Sequence, residues 1–243
     1  MTSLAGSVWP EIPARALLVV PLGSTEQHGH HLPLGTDTSI ACAVADAAAG
    51  ALDGSLLAPA LAYGASGEHE DFPGTVSLGT EALTGLLVEY GRSAGRWAGR
   101  VVLVNGHGGN LEALRAAGSV LRAEGRDVAW FPCAVPGGDA HAGRTETSLM
   151  LHVEPVGVLG ERATAGDATP IADLLPRLRA EGVRAVSPTG VLGNPVGATA
   201  EEGAVLLADL AQRLVAAVAA WDVDARGRLR EPATPGGTVP AAG

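Results

Sequence analysis

Between Gly23 and Thr38 the chain reads GSTEQHGHHLPLGTDT, placing three histidines, a glutamate and an aspartate directly after the apolar run ALLVVPL. Residues two apart in extended backbone point to the same side, so Glu26 and His28 can approach one centre while Gln27 faces away. Asp37 follows at the start of the next helical stretch, where its carboxylate can turn back over the loop and bridge two ions; Pro33 and Gly35 make the return plausible. A second cluster, NGHGGN, sets His107 in a glycine-rich loop, and a third, GGDAHAGRTETSLMLH, carries Asp139, His141 and Glu146. There Asp139 and His141 alternate as in an extended loop. Glu146 falls in the first turns of a helix, where the positive end of the dipole favours a carboxylate.

Carboxylates mixed with imidazoles suit Zn, Mn, Fe(II) or Co better than Mg or Ca, and the lack of a cysteine among them argues against a purely structural zinc site. In this reading Glu146 completes a metal shell, His141 shuttles a proton near neutral pH, and Asp139 orients His141. Each cluster has a bland alternative. A lone ExH tripeptide is usually a cap or loop filler, and Glu146 by itself reads as a helix-capping carboxylate facing water. GHGGN, which matches neither GxGxxG nor GxxxxGK[ST], is a poor phosphate cradle. The coincidence of three such clusters favours the metal.

The elements that must hold these groups alternate. Apolar runs at 16–22, 55–61, 101–106 and 127–133 read as strands buried on both faces. Segments 38–51, 80–97, 110–124, 144–152, 169–181 and 200–221 have Ala, Leu and Val at helical spacing. This is the pattern of an α/β protein with a mainly parallel sheet. Ligands of such sheets gather beyond the carboxyl ends of the strands, which is where all three clusters fall.

Composition narrows the partners. The chain has 243 residues, 47% of them hydrophobic, enough for one sizeable core. Sixteen basic against 26 acidic side chains give a formal charge of -10, with no basic run, so neither nucleic acid nor an anionic membrane is an expected partner. The start MTSLAGSVWPEIPAR lacks the form of a signal peptide, and no later apolar run reads as long enough to span a bilayer. Cys42 and Cys133 form no CxxC pair, which together with the missing signal fits the cytoplasm. One domain is expected over 1–224, followed by a flexible Gly/Pro-rich tail at 225–243.

Taken together, GSTEQHGHHLPLGTD, FPGT, NGHGGN and DAHAGRTETS resemble the creatininase (creatinine amidohydrolase) family over roughly residues 16 to 210. YGASGEH (63–69), LLVEYGRSA (86–94), LRAEGRD (121–127) and GGDAHAG (137–143) are most similar to its mycofactocin precursor peptidase branch. The resemblance implies a three-layer α/β/α sandwich, two divalent ions per subunit (Zn or Fe(II), with Mn or Co as alternatives) and a homo-oligomer such as a hexamer. Carried over by position, Glu26, His28, Asp37 and His107 match the family's metal ligands, with Asp37 bridging, and Glu146 matches a further one. His141 matches the proton-transfer histidine. Glu68 and His69 match a segment near the substrate mouth and are expected to bind substrate, with a solvated turn as the alternative. Creatininase carries a metal-binding glutamate where Gly109 stands, which makes Glu146 the favoured ligand here and weakens creatinine as substrate. His30 replaces the usual proline and reads as a surface variant.

Two ions about 3.5 to 4 Å apart acidify a bound water enough to attack an amide near pH 7. The implied reaction is hydrolysis of a C–N bond. In the favoured branch the substrate is the modified mycofactocin precursor peptide, cut to release its C-terminal Val-Tyr-derived moiety. A small cyclic amide or a formamide is the alternative substrate, and a non-catalytic metal-binding module is disfavoured because Glu26, His28, Asp37, His107, His141 and Glu146 are all present.

Overall fold

The computed structural model describes residues 2–232. Five parallel strands, β1 (Thr2–Ser3), β2 (Leu17–Leu22), β3 (Leu56–Leu57), β4 (Arg100–Asn105) and β5 (Val128–Pro132), form one sheet in the order β1-β3-β2-β4-β5. The expected strand at 55–61 is regular only at Leu56–Leu57, its continuation being held by single contacts such as Leu22 to Leu61. Pro59 has no N–H to give a ladder, which shortens the strand.

The helices are α1 (Thr36–Ala49), α2 (Thr80–Ala94), α3 (Leu111–Ala123), α4 (Arg144–Val153), α5 (Ile171–Glu181), the short α6 (Val183–Val186) and α7 (Ala200–Ala220). Side chains of a strand alternate between faces, and the strands are apolar on both. Val19, Val102, Val104, Ala129 and Phe131 pack under α1, α4 and α7, while Leu18, Val20, Leu22, Val101, Leu103, Val128 and Trp130 pack against α2 and α3. The result is the three-layer α/β/α sandwich. A small third cluster, Leu174, Leu178, Val183 and Leu192 with Phe72, seats α5 and α6 on the loop that carries Glu68 and His69.

Register positions the chemistry. Leu17 to Leu22 pair in step with Arg100 to Asn105, and Val101 to Asn105 with Val128 to Pro132. The ends of β2, β4 and β5 therefore lie level and adjacent. The chain leaves β2 toward β3 on one side and resumes with β4 on the other, so the gap beyond β2 and β4 is the switch point where open α/β sheets place their ligands.

Two expectations are corrected. Helix α7 is long and apolar enough, by length and composition, to cross a bilayer. Its buried side chains Leu210, Leu214 and Val218 pack in the core beside α1 and α4, and Asp209 and Arg213 interrupt its outer face. The tail expected from 225 is anchored over its first residues. The Trp130 N–H donates to Gly227 O (2.8 Å) and the Leu229 N–H to Trp130 O (2.9 Å), pairing the otherwise open edge of β5. Residues 233–243 lie outside the described residues.

Leu229 is 1% exposed, so Leu229→Ala should lower unfolding free energy by about 3 kcal/mol, through lost burial and the cavity left behind. Chemical denaturation followed by circular dichroism measures this. An unchanged midpoint would show that the segment after α7 contributes nothing to the core.

Candidate metal centre

Each strand end delivers its groups through a loop with few degrees of freedom. After β2, the Glu26 N–H donates to Leu34 O (3.0 Å) and the Thr25 hydroxyl to Ala62 O (2.9 Å), which fixes the turn carrying Glu26, Gln27 and His28. Helix α1 then starts hard against the strand ends. A β-carbon on Gly23 would collide with Thr38, and one on Gly106 with the Asp37 carbonyl, so only glycine lets the first turn of α1 lie this close. That approach puts Asp37 between two histidines. Its Oδ1 lies 3.1 Å from His28 Nε2 and its Oδ2 3.3 Å from His107 Nδ1.

Glu26 lies on the neighbouring side, with Oε2 3.2 Å from His107 Nε2 and Oε1 3.4 Å from His69 Nε2 and 3.6 Å from His141 Nδ1. Glu146, on the first turn of α4, lies 3.8 Å from His28 Nε2 and also accepts the Ala142 N–H at 2.6 Å. It therefore ties down the turn that leads into its helix and faces the centre, rather than capping the helix into water. Ala142 adopts a left-handed φ of 51°, the tight turn that lets His141 and Glu146 face one space. Ligand atoms close enough to share an ion fall into three sets: Glu26, His28 and Asp37; His28, His141 and Glu146; Glu26, His69 and His141. His107 joins through its contacts with Glu26 and Asp37.

The site residues fit a cation. Glu26, His28 and Asp37 are at most 1% exposed, yet Glu26 Oε1 and Asp37 Oδ2 have no hydrogen-bond partner. Burying a carboxylate oxygen without a partner is costly, and a divalent ion removes the cost. The histidines are held for that purpose. A carbonyl oxygen only accepts, so His28 donates Nδ1–H to Glu26 O (3.2 Å) and His107 donates Nε2–H to Ala65 O (3.1 Å), leaving Nε2 and Nδ1 respectively as lone-pair nitrogens toward Asp37. Ser24 donates to Glu26 Oε2 (2.8 Å) and is itself in contact with Ser66.

Without a cation, protons balance the charge. Burial opposes protonation of His28, but Asp37 overrides it and pushes the pKa up to about 9; burial is likewise overcome at His107 by Glu26 and Asp37, which push it to about 10. Asp37 is held well below the carboxylate range, burial being outweighed by His28 and His107. Burial raises Glu26 and Glu146. Burial and the neighbouring His28 lower His141 to about 4.

Other expected groups fall elsewhere or take different roles. The expected orienting contact from Asp139 to His141 is replaced by a structural one. Asp139 Oδ1 accepts from the Thr145 N–H and hydroxyl, both at 3.1 Å, and Oδ2 from the Asn194 N–H at 3.0 Å, so the carboxylate ties the start of α4 to the 190s loop. His141 is instead positioned by Gln27 O, 2.7 Å from its Nε2. Glu68 stands at the rim, with Oε1 3.7 Å from His107 Nε2, close to the place a side chain on Gly109 would fill. His69 is no solvated turn residue: it is 3% exposed, inside the centre. Asn110 is buried and joins Gly23 O, Asn105 and the Ala65 N–H; Arg144 pairs with Glu202; His30 is exposed. Gln27, expected to face away, is 5% exposed and touches His69 and His141. Strand alternation misplaced it because the chain after Leu22 is no longer a strand.

An open parallel sheet with buried carboxylates and imidazoles at its switch point has the build of a metal-dependent α/β enzyme. The chain belongs to the creatininase family, whose creatinine amidohydrolase description matches residues 6–218. It is 56% identical over 231 residues to the mycofactocin precursor peptide peptidase of Mycobacterium ulcerans (strain Agy99), covering 92% of this chain and 90% of that protein. Among solved structures it is similar to a creatinine amidohydrolase (TM-score 0.74, 31% identity, 90% of this chain and 97% of that one) and to a mutant creatininase of Zn–Zn type (TM-score 0.73, 30% identity, 89% and 96%). Family and donor set together make this a divalent-metal centre.

Metal loading should release protons. In the metal-free protein at pH 7, below both raised values, His28 and His107 hold protons that ligation must displace. Binding of Zn(II) should release about two protons per chain and tighten as pH rises toward 9. Calorimetric titration in buffers of different ionisation enthalpy counts them. Binding without proton release would remove these two histidines from the ligand set.

Proposed function

We propose that this protein is a metal-dependent peptidase that hydrolyses an amide bond in the modified mycofactocin precursor peptide and releases the C-terminal Val-Tyr-derived moiety. The observation that carries the chemistry is Asp37, whose two oxygens face His28 and His107 from opposite sides, as a carboxylate shared by two ions would. The substrate rests on the 56% identity over nearly the full chain.

Glu26, Asp37 and His107 would hold one ion, and His28, Asp37 and Glu146 the other, with Zn(II) or Fe(II) as the favoured metals and Mn(II) or Co(II) as alternatives. Bound there, divalent ions supply Lewis acidity and a water acidic enough to yield a nucleophile at neutral pH. The protein supplies the remainder. His141 is neutral at pH 7, anchored through Nε2, and keeps its Nδ1 lone pair toward the centre. It can take a proton from the attacking water and return it to the departing amine, which is a very poor leaving group unprotonated. Asp139 acts at a distance, keeping the His141 loop and the 190s loop together.

A surface depression of about 400 Å³, lined by Asp139, Arg144, Pro170, Leu192 and Asn194 among others, adjoins the His141 loop, but none of the metal-facing side chains lines it. Gly109 removes the side chain with which creatininase would reach its second ion, which counts against the reading as a hydrolase of a small cyclic amide. Gly109 and the identity to the precursor peptide peptidase favour a peptide.

The test is cleavage of the modified precursor peptide, followed by mass spectrometry beside creatinine. Chelation should abolish cleavage and Zn(II) or Fe(II) restore it. His28→Ala should lose metal and activity together, whereas His141→Ala should keep its metal and lose activity by about 100-fold or more. Turnover of creatinine with no cleavage of the peptide would defeat the peptidase reading.

A further inference from the structure

The geometry points to Gln27 as a positioning residue that fixes His69 and His141 in opposite tautomers, making His69 an N–H donor to the substrate and leaving His141 a lone pair. The tautomers rest on hydrogen-bond geometry; the catalytic consequence rests on the amide-hydrolase reading above.

The amide of Gln27 has one workable orientation. Its Oε1 accepts the Gly29 N–H at 2.8 Å, and its Nε2 lies 3.1 Å from Gly190 O. Turning the amide over would set N–H against N–H and carbonyl against carbonyl. In the orientation kept, Nε2 lies 2.8 Å from His69 Nδ1. An amide nitrogen donates and does not accept, so His69 Nδ1 must be the acceptor and the proton of neutral His69 sits on Nε2. That nitrogen is 3.4 Å from Glu26 Oε1. With Nδ1 occupied and Nε2 protonated, His69 has no lone pair for an ion.

His141 is fixed the other way. Its Nε2 is 2.7 Å from Gln27 O, a pure acceptor, and so carries the proton. The 3.1 Å approach of Gln27 Nε2 to the same nitrogen is then a contact without a hydrogen bond, since both amide hydrogens already serve His69 and Gly190. Three buried histidines, 28, 107 and 141, thus donate to backbone carbonyls and turn lone pairs inward. His69 alone among these four accepts from a side-chain amide and turns an N–H inward. An N–H at that place suits the oxygen of a scissile amide, which gains negative charge as the carbonyl is attacked. The arrangement also explains Gly190. Its φ is 81°, and a β-carbon there would collide with the Gln27 amide.

Protein carrying ¹⁵N-labelled histidine and loaded with Zn(II) tests this by two-bond ¹H–¹⁵N correlation spectra at neutral pH. His69, assigned by its loss in His69→Gln, should appear as the Nε2–H tautomer. Gln27→Glu, which can only accept at this position, should move it to the Nδ1–H form. His69→Ala should keep the zinc content of the unmodified protein and lower kcat on the precursor peptide by about 100-fold, and His69→Gln, which retains a donor, should recover part of that loss. An Nδ1–H signal or a zinc-bound Nε2 at His69 in the unmodified protein would overturn the proposal even if Gln27→Glu fails to fold. So would loss of zinc in His69→Ala. Spectra and metal content need no substrate, so a failure to cleave the peptide would count against the peptidase reading alone.

Discussion

A buried carboxylate with a histidine on each side is the constraint around which the rest of this protein is arranged. Asp37 is 1% exposed, and one of its oxygens has no hydrogen-bond partner. In a low-dielectric interior such a group is tolerable only beside positive charge, which either protons on His28 and His107 or bound ions can supply. The cluster is therefore a poor contributor to stability in its metal-free form and a strong one when loaded, because a cation that binds only the folded state stabilises it.

Holding Asp37 there requires three strands to end level and one helix to start among them. The in-step registers of β2 with β4 and β4 with β5 provide the first condition, and the missing side chains of Gly23 and Gly106 provide the second. The apolar helices α1, α4 and α7 on one face and α2 and α3 on the other keep the sheet rigid, so the loops inherit fixed starting points. Small positional errors at a catalytic centre are expensive in rate, which is a physical reason for mounting the site on close-packed strands. Around the ligands, backbone carbonyls of Glu26, Gln27 and Ala65 decide which nitrogen of each histidine is free.

The rim of the centre is built apart from the layer that holds its charged core. A β-carbon on Gly109 would collide with Ala65 O, His107 and Glu68, so only glycine lets Glu68 approach His107 from a different loop, and that loop is carried by α5 and α6 rather than by the sheet. The metal-holding residues sit on the rigid layer, whereas the groups at the rim sit on the smaller cluster of Leu174, Leu178, Val183 and Leu192. Separating them lets one chemistry be kept while the mouth is rebuilt for another substrate.

Much of this was legible in the sequence, because local patterns report local structure. Apolar runs and helical spacing placed three strands and six helices close to their observed bounds and overran a fourth strand, which is regular only at Leu56–Leu57, and the three histidine-bearing clusters announced themselves by following strands. Side-chain chemistry and chain order alone were enough to nominate Glu26, His28, Asp37, His107, His141 and Glu146. What composition and spacing could not carry were contacts between segments far apart in the chain. Gln27 reads as an outward residue until the loops holding His69, His141 and Gly190 close around it, and Asp139 reads as the partner of His141 until Thr145 and Asn194 take its oxygens. The residues after α7 read as a tail until the open edge of β5 offers them hydrogen bonds. Sequence by itself determined the long elements, though not the short β1 and α6, and which groups could bind metal, since both follow from residue type and period. Only the tertiary structure decided which nitrogen faces the centre and which carboxylate merely ties a loop, because a hydrogen bond depends on distances of a few tenths of an ångström between residues that the chain order keeps far apart.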